Sequence, residues 1–206
     1  MSEASRRIQT LAVIGTLLAW ASAARASGVV VAWGFNASGI LAPPSLVSGV
    51  GGTASAIAVG ALHTCAIQAG TGAVLCWGDN GSGEATPPPS VDGTAGSATE
   101  IAAGGRHSCA VQAGTGAVIC WGENSDGQAT PPASVDGTAG TANAIAAGDS
   151  HSCAIQAGSG AVVCWGDDDY GQATPPASVD GTAGTASAIA AGWYHTCAIQ
   201  AGTGTV

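Results

Sequence analysis

Apolar and polar positions follow each other along this chain in an order that returns every 44 residues. The first full copy spans residues 57–88 and reads IAVGALHTCAIQAGTGAVLCWGDNGSGEATPP. The same order returns at 101–132 and at 145–176, and a fourth copy begins at Ile189. Repeats of this length are typical of solenoids and propellers, and a period near 44 residues suits four short strands per unit.

Within the second unit the pattern predicts a series of short strands. Residues 101–104 form a short apolar strand, His107–Gln112 a second and residues 117–122 a third. The tight turn at 113–116 joins the last two, because its glycines adopt positive φ at little cost. Residues 130–132 are extended, but two prolines cannot donate to a ladder, so this segment belongs at an outer edge.

The two faces of the central strand indicate what covers it. His107, Cys109 and Val111 share one face, and Ser108 and Ala110 lie on the other. A strand that is apolar on both faces is covered on both sides, as in the stacked blades of a propeller. We therefore predict an all-β fold, a β-propeller built from 44-residue four-stranded repeats. Its four visible units begin near residues 57, 101, 145 and 189.

A strand-like segment at 29–34, VVVAWG, aligns with the third strand of a unit because Trp33 lies 44 residues before Trp77. It is the closing strand that the last unit lacks, and with it the chain would close as four blades. In the other interpretation the units belong to a larger, incomplete ring. Ala32 replaces the cysteine of the other third strands and leaves Cys197 without a partner, which favours the incomplete ring.

The first 26 residues have the pattern of a secretory signal peptide. Two arginines precede an apolar run at 8–20, and the small residues around Ala24 and Ala26 predict cleavage before Ser27. The run is shorter than the ~20 apolar residues that a membrane anchor needs. We expect residues 27–206 to form the propeller, and we expect the protein to be secreted, to the periplasm or the extracellular medium.

The negative net charge disfavours partners that are themselves strongly negative. Of the 13 acidic residues only Glu3 precedes residue 27, and Arg106 is the only lysine or arginine after it, so residues 27–206 carry about −11 with neutral histidines. Nucleic acids and anionic membranes both attract lysine and arginine. We expect no nucleic-acid partner and no membrane insertion. A composition rich in glycine and alanine also suits a flexible coil, but apolar residues at fixed places favour folded repeats.

Four tryptophans occupy one fixed position of the unit. They are the largest apolar side chains of the repeat, and a constant position favours a place in the core over a binding role. The predicted core tryptophans are Trp33, Trp77, Trp121 and Trp165.

Six of the seven cysteines form pairs 11 residues apart across the predicted hairpin. The four-residue turn places each pair at a non-hydrogen-bonded position, where a disulfide can form, and secretion provides an oxidising compartment. Free buried thiols are the alternative, and so is a metal site of His107, Cys109 and Cys120, although three ligands are few for zinc. The predicted disulfides are Cys65–Cys76, Cys109–Cys120 and Cys153–Cys164.

The four histidines occupy the start of the second strand in each unit. No nucleophile or carboxylate recurs beside them in the pattern of a catalytic triad, so we assign them structural hydrogen bonds and predict no catalytic residue. They are His63, His107, His151 and His195.

The motif A-I-A-A-G-x-x-H-(S/T)-C-A-(I/V)-Q, followed by W-G-x-N-x-x-G-Q, resembles the repeats of the regulator of chromosome condensation family. The resemblance covers nearly all of residues 27–206 and implies a β-propeller that binds proteins through loops at one end. Among secreted members, the opening VVVAWGFNASG is similar to seven-bladed bacterial inhibitors of β-lactamase, which implies aromatic contacts from these loops. The chromatin role is not carried over, because the basic surface that it implies is absent.

The units differ mainly in the pair before the histidine and in the loop after Trp-Gly. In an up-and-down blade both segments emerge on one face, and variable loops on a rigid scaffold often bind partners. We predict that this face binds a protein of unknown identity, with aromatic anchors and an acidic rim that favours a basic partner. The predicted partner-binding residues are Phe35, Leu62, Asp79, Arg106, Glu123, Asp126, Asp149, Asp167, Asp168, Asp169, Tyr170, Trp193 and Tyr194.

Other interpretations of the variable loops stay open. The sequence differences can reflect neutral drift in loops that bind no partner. Asp167, Asp168, Asp169 and Gly171 offer oxygen ligands for calcium without the full spacing of a calcium loop, so a calcium- or glycan-binding adhesion module is an alternative. A lyase or hydrolase would need convergent acid and base residues, and the carboxylates are scattered. We expect a non-enzymatic protein without metal or cofactor.

Overall fold

The computed structural model describes residues 27–36 and 38–202. The predicted signal peptide lies outside the described residues. No described segment forms a helix that could cross a membrane. The strands are β1 Ala54–Val59, β2 His63–Gln68, β3 Val74–Gly78, β4 Ala98–Ala103, β5 His107–Gln112, β6 Val118–Gly122, β7 Ala142–Ala147, β8 His151–Gln156, β9 Val162–Gly166, β10 Ala186–Ala191 and β11 Thr196–Gln200.

The strands form one antiparallel sheet per repeat. The first blade is β1–β2–β3, the second is β4–β5–β6 and the third is β7–β8–β9, whereas the fourth unit contains only β10 and β11 among the described residues. The predicted central strand is confirmed at the same bounds as β5. The first strand, β4, starts at Ala98 and is longer than predicted, since Ala98 still pairs with Gln112. The predicted tight turn is confirmed, with positive φ at Gly114 and Gly116.

Each of the first three blades contains three strands where the pattern suggested four. The predicted edge segment at 130–132 stays outside the ladder, because its two prolines have no N–H to donate. The chain still returns along the edge of β6, where the Val118 N–H donates to the Val135 carbonyl at 2.9 Å. Val135 is fully buried. The last segment of the unit therefore covers the edge of the blade through this backbone hydrogen bond, without forming a strand.

The hydrophobic core lies between consecutive blades. Ile67 and Val74 of the first blade pack with Ala110 and Trp121 of the second in one cluster, and the same arrangement recurs between the second and third blades. Every residue of β5 except the last is buried, as its two apolar faces predicted. The repeat therefore folds as a row of mutually covered blades.

Within residues 27–202 as described, the two edges of this row are exposed and the sheets do not close into a ring. Residues 28–34, called the opening segment below, are held by a bridge between Gly28 and Ala54 and by the Val30 N–H, which donates to the Val47 carbonyl at 2.9 Å. Trp33 in this segment is 83% exposed. The prediction that all four tryptophans lie in the core is thus wrong for Trp33, because no described blade covers that side.

Candidate binding face

The two variable segments of each unit lie side by side. In the second blade the Glu123 N–H donates to the Arg106 carbonyl at 2.9 Å, and in the first blade the Asp79 N–H donates to the Leu62 carbonyl at 2.8 Å. The pair before the histidine and the loop after Trp-Gly are thereby joined by the backbone. We call the surface formed by these segments in all units the variable face.

Neighbouring blades join their variable segments as well. The Gly105 N–H donates to the Asp149 carbonyl at 3.1 Å, and the Asp149 N–H donates to the Trp193 carbonyl at 3.3 Å. A shallow pocket of about 260 Å³ lies between these segments. It brings together the predicted partner-binding residues Leu62, Asp79, Arg106, Glu123 and Asp149.

Three aromatic residues form an exposed cluster on the variable face beside the third blade. Tyr170, Trp193 and Tyr194 are 75%, 69% and 49% exposed. The ring centroids of Tyr170 and Tyr194 are 5.4 Å apart, and those of Trp193 and Tyr194 are 6.3 Å apart. These separations are typical of aromatic pairs that stabilise each other. The predicted anchors are therefore one surface feature, while Phe35 and Asp126 are exposed outside this cluster and outside the pocket.

Each loop after Trp-Gly is held by its own side chains. The Asn124 side-chain oxygen accepts from the Ala129 N–H at 2.9 Å, and the Asn124 amide donates to Thr130 Oγ1 at 2.9 Å. The buried side chain of Gln128 accepts from the Asp126 N–H at 2.9 Å. These hydrogen bonds fix the loop backbone, so the exposed residues between Asn124 and Gln128 have a defined arrangement.

In the third blade Asp168 takes the place of Asn124. Its carboxylate accepts from the Thr174 hydroxyl at 2.6 Å and from the Ala173 N–H at 2.7 Å. The Thr174 hydroxyl, followed by the Ala173 N–H, lowers the pKa of Asp168 below its ordinary value. Asp167 accepts from the Gln172 side-chain N–H at 2.8 Å. Two of the three carboxylates of the calcium interpretation, Asp167 and Asp168, thus hold the loop. The described residues contain no convergent group of three or more possible metal ligands.

The buried histidines join one blade to the next beneath this face. His107 Nε2 lies 2.8 Å from Ser152 Oγ of the third blade, and that hydroxyl donates to the Gln128 carbonyl at 3.1 Å. Because the hydroxyl hydrogen is used there, we assign the ring proton to Nε2, which donates to Ser152. Burial, followed by the neighbouring His63 and His151, lowers the pKa of His107 to about 4. His107 is therefore neutral and structural at neutral pH.

In each unit the glycine before the variable pair leaves space for the buried histidine ring. A Cβ atom at Gly104 would overlap with His107 Cε1 and with the Gly148 carbonyl oxygen. No side chain larger than hydrogen fits there. His195 of the fourth unit is exposed, since the next blade is absent from the described residues.

The hairpin disulfides lie in the body of each blade. Cys109 and Cys120 are paired across β5 and β6, with 4.1 Å between their Cα atoms, and the other two predicted pairs form in the same way. All three predicted disulfides are confirmed. Their sulfur atoms are bonded to each other, which removes the metal interpretation of His107, Cys109 and Cys120. Cys197 is exposed and free.

Sequence reasoning missed the hydroxyl that each buried histidine contacts. The signal was present, because a serine or threonine follows the histidine in every unit: Thr64, Ser108, Ser152 and Thr196. The hydrogen bond joins residues 45 positions apart. The period of the repeat shows that these residues are equivalent, but it does not show that a histidine contacts the hydroxyl of the next unit.

The repeated segments match a known family. Residues 54–84, 98–128 and 143–172 match the model described as regulator of chromosome condensation (RCC1) repeat. The chain contains RCC1 repeats. This confirms the family resemblance drawn from the motif. No curated protein sequence matches the chain, and the similarity to bacterial β-lactamase inhibitors stays a prediction.

Several solved structures have the same fold as these RCC1 repeats. The ectodomain of the Physcomitrella patens receptor kinase CR4 has a TM-score of 0.60 at 24% identity, over 76% of this chain and 38% of that one. The CRINKLY WD40 ectodomain of the Arabidopsis thaliana receptor kinase ACR4 has 0.53 at 27%, over 71% and 45%. Prp20p from Saccharomyces cerevisiae has 0.56 at 20%, over 72% and 43%. The chain spans less than half the length of each.

Proposed function

We propose that this chain is a secreted, non-enzymatic β-propeller that binds a protein partner through the variable face. The observation that carries the proposal is the exposed cluster of Tyr170, Trp193 and Tyr194 on the face where the units differ. Aromatic side chains of this size are enriched at the centres of protein interfaces. Their loops are held by internal hydrogen bonds, so little ordering accompanies binding.

The partner that fits this face is basic. The carboxylates of Asp79, Glu123 and Asp149 line the pocket together with the single arginine Arg106. Asp168 and Asp169 precede Tyr170 of the aromatic cluster in the same loop. Opposite charges speed the encounter of two proteins and disfavour wrong partners. Exposed tyrosine and tryptophan rings also attract lysine and arginine through cation–π contacts. A protein surface with lysine and arginine at its centre satisfies both features.

The buried histidines support binding rather than catalysis. His63 and His107 each use a ring nitrogen in a hydrogen bond to the next blade and are covered by protein. A general base must reach its substrate. The yeast Prp20p structure was described together with binding to Gsp1p and histones, which supports protein binding as a general use of this fold.

The proposed compartment is extracellular or periplasmic. Three disulfides in a chain of this size are typical of proteins that fold in an oxidising compartment. Two of the similar structures are ectodomains of receptor kinases. The signal-like pattern of residues 1–26 agrees with this placement.

The test replaces all three aromatic residues of the cluster by alanine. The matched control replaces Thr94, Thr138 and Thr182, which are exposed on the constant loops of the opposite face. Proteins from the medium of the native host are captured on each variant, and a lysine- and arginine-rich peptide is titrated by calorimetry. We expect the aromatic variant to lose affinity at least about tenfold and the control to bind as wild type.

Unchanged capture by the aromatic variant would overturn the proposal. Titration with soluble glycans distinguishes protein binding from the alternative function, glycan binding, since exposed aromatic rings also stack on sugars. A saturable glycan signal that disappears with the three aromatic residues, without any captured protein, would assign this face to glycan binding instead.

A further inference from the structure

The loop after Trp-Gly contains one position that is an asparagine or an aspartate in every unit. Counted along the repeat, the residues at this position are Asn36, Asn80, Asn124 and Asp168. The residue that follows differs each time, and the four successors are Ala37, Gly81, Ser125 and Asp169. Asn80 is the only asparagine of the chain that precedes a glycine.

An asparagine before a glycine is chemically unstable in water. The backbone nitrogen of the glycine can attack the side-chain carbon Cγ of the asparagine and form a cyclic succinimide, with ammonia as the leaving group. Glycine has no Cβ, so its nitrogen reaches Cγ in more backbone conformations than the nitrogen of any other residue. Water then opens the ring and leaves a carboxylate in place of the amide.

Both reacting residues of the first blade are exposed in the folded chain. Gly81 has no positive φ, and a Cβ built on it would have no neighbour closer than Asp79 Oδ1 at 4.0 Å. No distant side chain therefore packs over Gly81. Water reaches the pair, and no packed group opposes closure of the ring.

Two hydrogen bonds hold the Asn80 side chain in its loop. Its Oδ1 accepts from the Ala85 N–H at 2.9 Å, and its Nδ2 donates to Thr86 Oγ1 at 2.9 Å. Asn124 is held by the same two bonds at the same distances. Because Nδ2 is the nitrogen that leaves, the bond to Thr86 must break before the reaction. Both asparagines are held equally, so the following residue decides which of them reacts.

The third blade shows that the product fits this loop. Asp168 accepts from the Ala173 N–H at 2.7 Å and from the Thr174 hydroxyl at 2.6 Å. These two residues are the equivalents of Ala85 and Thr86. An aspartate at position 80 can accept the same two bonds with the same backbone. Deamidation thus gives the first loop the form that the third loop has by sequence.

We propose that Asn80 is a site of spontaneous deamidation in the folded chain. The Gly81 nitrogen forms a bond to Asn80 Cγ and loses its proton to solvent, while the Cγ–Nδ2 bond breaks and ammonia leaves. Water opens the succinimide and restores the Gly81 N–H. The net reaction consumes a water molecule and releases ammonia, so it requires no oxidant, reductant or enzyme.

The modification changes the charge of the variable face. Asp79, which lines the pocket beside Arg106, directly precedes the new carboxylate in the chain. The first loop thus gains a negative charge that is not reversed. An added negative charge speeds the encounter with a basic protein. This last consequence rests on the proposed function, whereas the deamidation itself needs no partner.

The test measures the loss of ammonia at each asparagine in the folded chain. The wild type is kept in mildly alkaline buffer, which speeds the attack because the deprotonated amide nitrogen is the nucleophile. Peptides that contain Asn80 or Asn124 are then compared by mass spectrometry. We expect Asn80 to become acidic at least about tenfold faster than Asn124, since only its successor lacks a Cβ. Equal rates at the two positions would overturn the proposal.

The matched control variant is Gly81→Ser, which gives the first loop the residue of the second. The open space at Gly81 accommodates the serine side chain. G81S should slow deamidation of Asn80 at least about tenfold, with the three disulfides and the circular dichroism spectrum unchanged. Asn80→Asp should have the isoelectric point of aged wild type from the start. Wild-type rates in G81S, or deamidation of the wild type only after denaturation, would contradict the proposal.

A second pair of variants tests the hydrogen bond on the leaving nitrogen. Thr86→Ala should speed deamidation of Asn80 about two- to tenfold, because the amide is no longer held. Thr130→Ala removes the equivalent hydroxyl of the second loop and should leave the rate at Asn80 unchanged. An equal rate in T86A and the wild type would contradict the role of this hydrogen bond.

Discussion

The second blade and the edges of the row are made from the same repeat, but their equivalent residues have different surroundings. Trp121 is 9% exposed, while Trp33 at the equivalent position is 83% exposed. His151 is fully buried and His195 is exposed. The local sequence around these residues is nearly the same. Burial in a repeat protein is therefore supplied by the neighbouring unit.

This comparison also separates two kinds of surface. The apolar edges are exposed because no described blade covers them, and the variable face is exposed because its loops leave the sheets. The opening segment contains valines, one alanine and one tryptophan and no charged residue, whereas the variable face combines carboxylates with aromatic rings. We infer a basic protein partner at the variable face.

The largest expected difference between interior and edge concerns the tryptophans. Trp121→Ala should lower the free energy of unfolding by about 3–5 kcal/mol, because it leaves a cavity between two blades. Trp33→Ala should change it by less than about 0.5 kcal/mol, since the side chain is solvated. Urea unfolding of both variants beside the wild type checks both values. Equal losses would contradict the assignment of the core to blade interfaces.

The next difference concerns the pH dependence of stability. The pKa of His107 is about 4 in the folded chain, compared with about 6.5 for an unfolded histidine. Below pH 6.5 the unfolded chain binds a proton that the folded chain does not. The free energy of unfolding should thus be highest above pH 6.5 and fall, by about 3 kcal/mol for this residue, as the pH drops to about 4.

His107→Gln and His195→Gln are the matched pair for this pH test. The first should be less stable at pH 7 and should flatten the dependence between pH 6.5 and 4. The second should leave the stability at pH 7 nearly unchanged, because His195 is exposed. The explanation by burial would be wrong if His107→Gln retained the wild-type slope.

A smaller difference is expected between paired and unpaired cysteines. Removal of the bridge by Cys109→Ala with Cys120→Ala should cost about 2–3 kcal/mol, because the bridge closes an 11-residue separation in the unfolded chain. Cys197→Ser should have almost no effect on unfolding at low concentration, since this thiol is free. Thermal unfolding of the two variants beside the wild type measures the contrast. A similar loss in both would argue that Cys197 has a partner.

Much of each blade could be predicted because its rules act over short distances. The alternation of side chains along His107–Gln112 gave the central strand at its true bounds, and glycines at 114 and 116 marked the turn. A turn of four residues sets the register, which placed Cys109 opposite Cys120. The fourth strand was overestimated because an extended, proline-rich segment can follow an edge without joining the ladder.

The candidate site could be predicted only in part. Comparison of the units identified the variable segments, and blade geometry placed them on one face. The division into a pocket around Arg106 and a separate aromatic cluster around Tyr194 depends on which loops of adjacent blades contact each other. Phe35 has the same place in its unit as Asp167, but it belongs to neither group.

The sequence by itself determined the period, the hairpin of the second and third strands, the disulfides and the segments that vary, since all of these follow from side-chain spacing within one repeat. The tertiary structure decided which copy of each residue is buried, which hydroxyl each histidine contacts and which edges stay open. Those properties depend on the stacking of one blade against the next, between residues about one repeat apart in the chain. Identical local sequences can thus lie in the core or in solvent.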